Sequence, residues 1–369
     1  MKLLSLLLLA GPALFPPIFN RSVTLPTPAL AEHVDYQRAV VSSPDDGSVT
    51  LIPRTGTPRT VEVGSGKVRN VYVTPTGRTL GLQLDFEACR VVVWDFTAGK
   101  AVTRLQGDFQ GVLSCNRETE FHFHANFTPD GRFLLTADET GVRRWDAHSG
   151  KLLGVQPGQA ATVFPNEVTP EVVAVAVTAA GPQLQVWNST LTRRVATLKN
   201  LSPTCLRNPQ PGVALSGTTA TFSCRGEVQQ WNWKTGKVLR LARQMPVDVF
   251  DEAPRVYDRY VALSEDQRGA ALWDARTGKR LIQVKVPERV QVTDVAFAPG
   301  GFLMVARSDG KVQTYDAARQ GRHLRTLDVF PGGAGPQHLT LRTSPIWGQM
   351  LVATLGQPGR AKVIDLGRG

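Results

Sequence analysis

Gly141-Val-Arg-Arg-Trp-Asp-Ala-His-Ser-Gly150 is the stretch on which the fold is decided, because variants of it recur along the chain. Val93-Trp-Asp-Phe-Thr-Ala-Gly99, Val186-Trp-Asn-Ser-Thr190, Gln230-Trp-Asn-Trp-Lys-Thr-Gly236 and Leu272-Trp-Asp-Ala-Arg-Thr-Gly278 repeat it closely. Thr314-Tyr-Asp-Ala317, Val363-Ile-Asp-Leu366 and Leu51-Ile-Pro-Arg-Thr-Gly56 are weaker copies. Each reads as an apolar strand ending on a large aromatic. A carboxylate or amide follows, placed to accept turn N–H groups, and then a glycine that supplies positive φ. Taken at Ile52, Trp94, Trp145, Trp187, Trp231, Trp273, Tyr315 and Ile364, the spacings are 42, 51, 42, 44, 42, 42 and 49 residues. A period in the low forties with four short strands per unit is the signature of a propeller blade.

Length points the same way once the repeat is recognised. A chain of 369 residues suggests two domains, but a ring grows by adding blades and stays one domain. With 34 Gly and 25 Pro at short intervals, the chain is punctuated as an all-β protein requires. The expectation is an all-β propeller of four-stranded antiparallel blades.

Lettering strands a to d from the axis outward gives eight b–c hairpins but only seven a and seven d strands. The first unit lacks a clear a strand, and the last stops after c. The hairpin count favours eight blades over seven. In a seven-bladed ring, Arg59–Val63 would instead close the last blade.

Before the repeat lies a targeting segment. Lys2 precedes the apolar run Leu3–Ala10, and Pro12, Pro16 and Pro17 break any helix. Ala29-Leu30-Ala31 has the small-x-small form of a cleavage site, so residues 1–31 are read as a signal peptide and 32–369 as the propeller. The apolar run is too short to span a bilayer, and no transmembrane span is expected after its removal. The expected location is therefore secreted or periplasmic. No cysteine follows the apolar run closely; the nearest is Cys89.

The formal charge is +11, or +9 without Lys2 and Arg21. A basic exported chain suits anionic neighbours. Its longest clusters are only Arg143-Arg144, Arg193-Arg194 and the spaced Arg319, Arg322 and Arg325, so the charge reads as a solvated, arginine-rich surface.

The Trp-Asp-x-x-Thr-Gly units and Pro-Asp-Gly turns resemble the WD40 and related YVTN-type propeller repeats over nearly all of residues 38–369. The resemblance implies the fold. WD40 units carry a Gly-His dipeptide before strand a, and here the matching stretches read Gln106-Gly-Asp108 and Gln156-Pro-Gly158. The repeats are thus degenerate, and the resemblance implies no particular partner.

Chemistry-bearing patterns are sparse. His122 and His124 flank Phe123 and share a strand face. Two imidazoles without a third ligand do not make a zinc site, so packing between blades is the expectation and no metal or cofactor is implied. Asp46, Asp130, Asp138, Asp266 and Asp309 recur in turns and read as turn acceptors. No Gly-x-Ser-x-Gly, P-loop or His-Glu-x-x-His is present. Asn126, Asn188 and Asn200 begin glycosylation sequons.

The expected function is therefore non-catalytic: an exported monomer that binds a partner protein or an anionic envelope polymer, not nucleic acid, through loops on one rim. Two alternatives stand beside it. One is a hydrolase- or lactonase-like propeller enzyme with its site in the central funnel. The other is an envelope-assembly scaffold, resembling the eight-bladed periplasmic propellers that accompany outer-membrane machinery. Antiparallel blades put the d–a and b–c connections on one rim and the a–b and c–d turns on the other. The d–a connections hold the insertions Gly107–Glu120 and Val329–Gln337, with Asn200–Pro203 nearby. Phe109, Arg117 and Phe330 sit in them as expected binding residues. Export permits disulfides, and rim placement pairs Cys205 with Cys224 and Cys89 with Cys115.

Overall fold

The computed structural model describes residues 20–369 except 36, 86–87, 107–123, 139, 159, 167–168, 180, 200, 202–212, 225–226, 244–253, 266–268, 332–336, 345–348, 357 and 367–369. Among these residues thirty-two strands form eight four-stranded antiparallel sheets, an eight-bladed β-propeller. Among the described residues there is no helix.

The chain opens with β1 (Arg21–Leu25), which belongs to the last blade. Blade 1 is β2 (Leu30–Val34), β3 (Arg38–Ser42), β4 (Ser48–Pro53) and β5 (Arg59–Glu62). Blade 2 is β6 (Lys67–Val73), β7 (Thr79–Asp85), β8 (Arg90–Asp95) and β9 (Lys100–Arg104). Blade 3 is β10 (His124–Phe127), β11 (Phe133–Asp138), β12 (Gly141–Asp146) and β13 (Leu152–Pro157). Blade 4 is β14 (Ala160–Pro165), β15 (Val172–Thr178), β16 (Gly181–Trp187) and β17 (Arg194–Leu198). Blade 5 is β18 (Val213–Ser216), β19 (Thr219–Cys224), β20 (Glu227–Asn232) and β21 (Val238–Arg243). Blade 6 is β22 (Arg255–Tyr257), β23 (Tyr260–Glu265), β24 (Gly269–Asp274) and β25 (Lys279–Lys285). Blade 7 is β26 (Val292–Ala298), β27 (Phe302–Arg307), β28 (Lys311–Asp316) and β29 (Arg322–Asp328). Blade 8 is β30 (Leu339–Thr343), β31 (Gln349–Thr354) and β32 (Gly359–Asp365), completed by β1.

The core lies between blades. Eight clusters of buried apolar residues each join one blade to the next. Strand alternation explains this, since successive side chains leave opposite faces of a sheet. In β11, Leu134 packs toward blade 2 and Leu135 toward blade 4, both at 0 % exposure. A strand buried on both faces reads as the continuous apolar run seen in Phe133-Leu-Leu.

The repeated motif has a mechanical role. Trp145 is 1 % exposed, and its indole N–H donates to Thr136 Oγ1 on the neighbouring strand at 2.9 Å. Trp94 does the same to Gln83 Oε1 at 2.7 Å. The next residue holds the turn: Asp146 Oδ1 accepts from the N–H groups of His148 and Ser149 at 3.0 and 2.7 Å. Asn188 and Asn232 do the same in their blades. The motif glycine then lies against the outer strand of the preceding blade. Gly150 has φ 70°, its carbonyl accepts from Gln106 N–H at 3.0 Å, and a Cβ there would fall 2.2 Å from the Arg104 carbonyl oxygen. Glycine is demanded twice over, by handedness and by space.

Ring closure corrects the sequence reading. The two strands that seemed absent, an a strand in the first unit and a d strand in the last, are β2 and β1. Both lie at least partly within the residues assigned to the leader. Arg21–Leu25 pairs antiparallel with β32, Arg21 opposite Val363 and Leu25 opposite Gly359. The expected boundary after Ala31 falls inside β2. Arg59–Glu62 is the outer strand of its own blade, as eight blades require.

A chain beginning at Glu32 lacks β1 and the buried side chains of Leu25, Ala29 and Ala31. Their burial contributes about 3 kcal/mol. Its melting temperature is expected to fall by roughly 4 °C relative to a chain beginning at Asn20; equal melting temperatures would show that β1 does not hold the ring closed.

Candidate functional site: an inner-strand charge chain and an elaborated rim

The innermost strands carry bulges where the axis is approached. Register shifts lie between Ala31 and His33, Arg69 and Tyr72, Ala160 and Thr162, and Val292 and Asp294. A bulge inserts a residue and re-aims its neighbours. Here Glu32 occupies one and Asp294 borders another.

These strands hold a chain of alternating charge through five consecutive blades, Arg255, Asp294, Arg342, Glu32 and Arg69. Arg255 Nη2 lies 3.3 Å from Asp294 Oδ1, and Arg342 Nη1 lies 3.9 Å from Asp294 Oδ2. Asp294 also accepts from the N–H groups of Val295 and Leu341, both at 2.7 Å. Both its oxygens are thus engaged: Oδ1 ties the inner strand of blade 7 to Arg255 of blade 6, and Oδ2 ties it to the inner strand of blade 8. Glu32 accepts a hydrogen bond from Ser42 Oγ. Desolvation raises the Glu32 carboxyl above its usual range, while Ser42 and the Arg342 and Arg69 charges pull it back. The Asp294 contacts therefore tie blades 6, 7 and 8 together, while at the junction of blades 8 and 1 burial outweighs the arginine charges and disfavours ionised Glu32.

On the opposite arc the polar contacts are neutral. His124 Nδ1 accepts from Val163 N–H at 3.2 Å, and its ring packs on Phe164 with centroids 5.1 Å apart. Desolvation lowers its pKa to about 4, so the ring is neutral at ordinary pH. This is the packing role expected from sequence; His122 lies outside the described residues. Asn126 donates to the Val163 carbonyl at 2.9 Å, so its sequon amide is occupied inside the ring. Among the described residues no group of three or more His, Cys, Asp or Glu could hold a metal. Asp46, Asp130 and Asp138 accept turn N–H groups as read, and Asp266 lies outside the described residues.

The two rims differ. Connections from outer to inner strands are long at 105–123, 199–212, 244–254 and 329–338. On the other rim the turns between the third and outer strands are short, as at 96–99, 147–151 and 275–278. Sequence reading found three of these insertions; 244–254 was missed because the short β22, Arg255–Tyr257, gives little strand signal.

Phe109 and Arg117 lie outside the described residues. Phe330 is 6 % exposed, packs with Val329, Leu339 and Leu341 between blades 7 and 8, and carries the Arg360 guanidinium 4.8 Å from its ring centre. Its ring is buried, which corrects its reading as a surface anchor. Turning back over the blade end removes the apolar ring from water. Cys89 sits in the turn before β8 with φ 50°. Cys115 and Cys205 lie outside the described residues. Cys224 ends β19, and the inner strand beside it begins at Val213, well past Cys205. No helix among the described residues is long and apolar enough to cross a membrane.

No family model matches the chain, and no curated protein does. Solved propellers match it in shape. The computationally designed Ika8 protein aligns at 16 % identity over 93 % of this chain and 97 % of its own, with TM-score 0.66. BamB from Moraxella catarrhalis aligns at 13 % identity over 94 % and 98 %, with TM-score 0.63. The C-terminal WD40 domain of Sif2 aligns at 13 % identity over 95 % and 99 %, with TM-score 0.66. At these identities the likeness is one of fold.

The pH dependence of stability separates the two inner-strand groups. His124 titrates near 6.5 when unfolded and at about 4 when folded, so the unfolded chain binds more protons between those values. Stability is lost as pH falls through that window, and His124→Gln is expected to flatten the loss. Glu32 has the opposite sign. Its folded pKa lies above 4.5, so its contribution declines as pH rises from 4.5 through the folded value. Glu32→Gln is expected to remove that decline. Thermal melts from pH 4 to pH 8 read both; unchanged slopes in either variant would refute its assignment.

Proposed function

We propose that the chain is an exported, non-catalytic interaction scaffold that docks a partner protein on the rim built from the outer-to-inner connections. The observation that carries this reading is the unequal rims. Four connections of ten residues or more share one rim, while the turns between strands of one blade on the other rim run to six residues at most. A rigid ring needs no such length for closure, and length beyond closure is where repeat proteins place binding residues. The occupied oxygens of Asp294 favour this over a funnel enzyme.

Phe109 and Arg117 are the contact residues of this reading, an aromatic with a nearby guanidinium on the longest connection, 105–123. A photocrosslinker at Phe109 should capture a partner protein from the native envelope fraction, and one at Ala98 on the opposite rim should not. The double variant Phe109→Ala, Arg117→Ala should lose about 2 kcal/mol of binding, roughly thirtyfold. Undiminished capture by the double variant would move the site elsewhere.

Export rests on the run Leu3–Ala10, and because β1 belongs to the ring, the leader in this reading ends before Asn20. The same compartment would oxidise the cysteines, with pairs 205–224 and 89–115. Unreduced peptide mapping and N-terminal sequencing of exported protein check both: a mature terminus at Glu32 or an alkylated Cys205 would overturn the corresponding assignment.

A further inference from the structure

The cations of this chain gather on one part of its circumference. The outer segment of a blade is its last turn together with its outermost strand. In blades 5, 6 and 7 these segments, from 234 to 240, 275 to 285 and 317 to 328, carry ten exposed Lys and Arg and one acid, Asp328. The corresponding described segments of the other five blades carry six exposed Lys and Arg and one acid, Glu62. Per blade the basic arc is therefore nearly three times as dense as the rest.

The three segments form one surface. A Cβ at Gly278, in the turn of blade 6, would touch Leu239 and the Arg240 carbonyl of blade 5 at 3.9 and 4.0 Å. One at Gly321, in the turn of blade 7, would fall 2.4 Å from Ile282 of blade 6. Each turn thus overlies the preceding outer strand, and Lys237, Arg240, Lys279, Arg280, Arg322 and Arg325 follow one another across three blades. All six are exposed. Arg325 also donates to the Leu366 carbonyl, a neutral acceptor, at 3.0 Å. Arg319, by contrast, is held at 3.5 Å from Asp316. Gathering like charges costs free energy through self-repulsion, and a bound anion relieves it.

We propose that the outer segments of blades 5–7 form a docking surface for a flexible linear polyanion bearing phosphate or carboxylate groups. The shape favours a polymer over a flat anionic bilayer. Three of eight blades turn through a large part of the circumference, so a plane touches one blade while a chain can follow all three. The surface is distinct from the rim of the preceding reading and stands or falls separately from it.

Binding of the full exported chain to long-chain inorganic polyphosphate, and to polyglutamate as the carboxylate arm, tests this at low and physiological salt. Affinity should fall as salt rises. The variant Lys237→Glu, Arg240→Glu, Lys279→Glu, Arg322→Glu should lose at least about tenfold in affinity. The control Lys100→Glu, Arg104→Glu, Lys151→Glu, Arg193→Glu has the same net charge, and its loss should stay within about threefold. Glutamine at the four arc positions should give an intermediate loss, with circular dichroism reporting an unchanged fold. Equal losses in the arc and control variants would reduce the effect to net charge and overturn the proposal. So would binding to vesicles of anionic lipid without binding to either polymer.

Discussion

A ring of sheets has to be joined to itself, and everything else in this chain is arranged around that join. Seven of the eight blades are built from consecutive strands, so their pairing is local and their contacts form early in sequence. The eighth takes its outermost strand from the other end of the chain, Arg21 pairing with Val363. The join is fastened at several depths. Ala29 N–H donates to the Thr354 carbonyl at 2.9 Å, and Ala31 N–H to Thr340 Oγ1 at 2.8 Å. Leu25, Ile52, Leu351 and Val363 close the apolar layer between blades 8 and 1. Nearer the axis, the Arg342 charge offsets part of the burial of Glu32 across the same boundary.

How much of this was legible follows from where the information sits. The repeat Trp-Asp-x-x-Thr-Gly could be read because each residue acts within its own blade or its neighbour. The aromatic fills the blade junction, and in blades 2 and 3 its indole bonds the adjacent strand; the carboxylate or amide holds the turn, and the glycine lies against the preceding blade. Such demands recur in most blades and leave a period in the sequence. Closure happens once and leaves no period. Arg21–Leu25 and Leu30–Val34 carry only ordinary strand patterns, and Ala29-Leu30-Ala31 mimics a cleavage site because small residues also suit a crowded blade junction, where Ala29 and Ala31 are 2 % and 1 % exposed.

Phe330 shows a second kind of limit. Sequence places it in a long connection, and long connections lie on surfaces. Whether an aromatic in one of them faces water depends on what the blade ends offer. Here Leu339 and Leu341 supply an apolar seat and Arg360 a cationic cover. His124 is the converse case: the sequence offered no third ligand for a metal and so pointed to packing between blades, and in the ring the imidazole accepts from Val163 N–H and packs on Phe164 of the next blade.

Charge illustrates why a surface can be invisible in a sequence yet plain in a fold. Read linearly, Lys237, Lys279 and Arg322 are some forty residues apart and signify nothing together. The blade period brings them to equivalent outer segments of successive sheets, and the turn glycines Gly278 and Gly321 press those segments into contact. Periodicity thus converts sparse cations into a continuous band. The inner strands treat charge in the opposite way, alternating sign so that each arginine has a carboxylate beside it. Inside, where desolvation penalises an unpaired charge, alternation preserves the ring. On the circumference, water tolerates like charges side by side, so their gathering there is not explained by the needs of the fold.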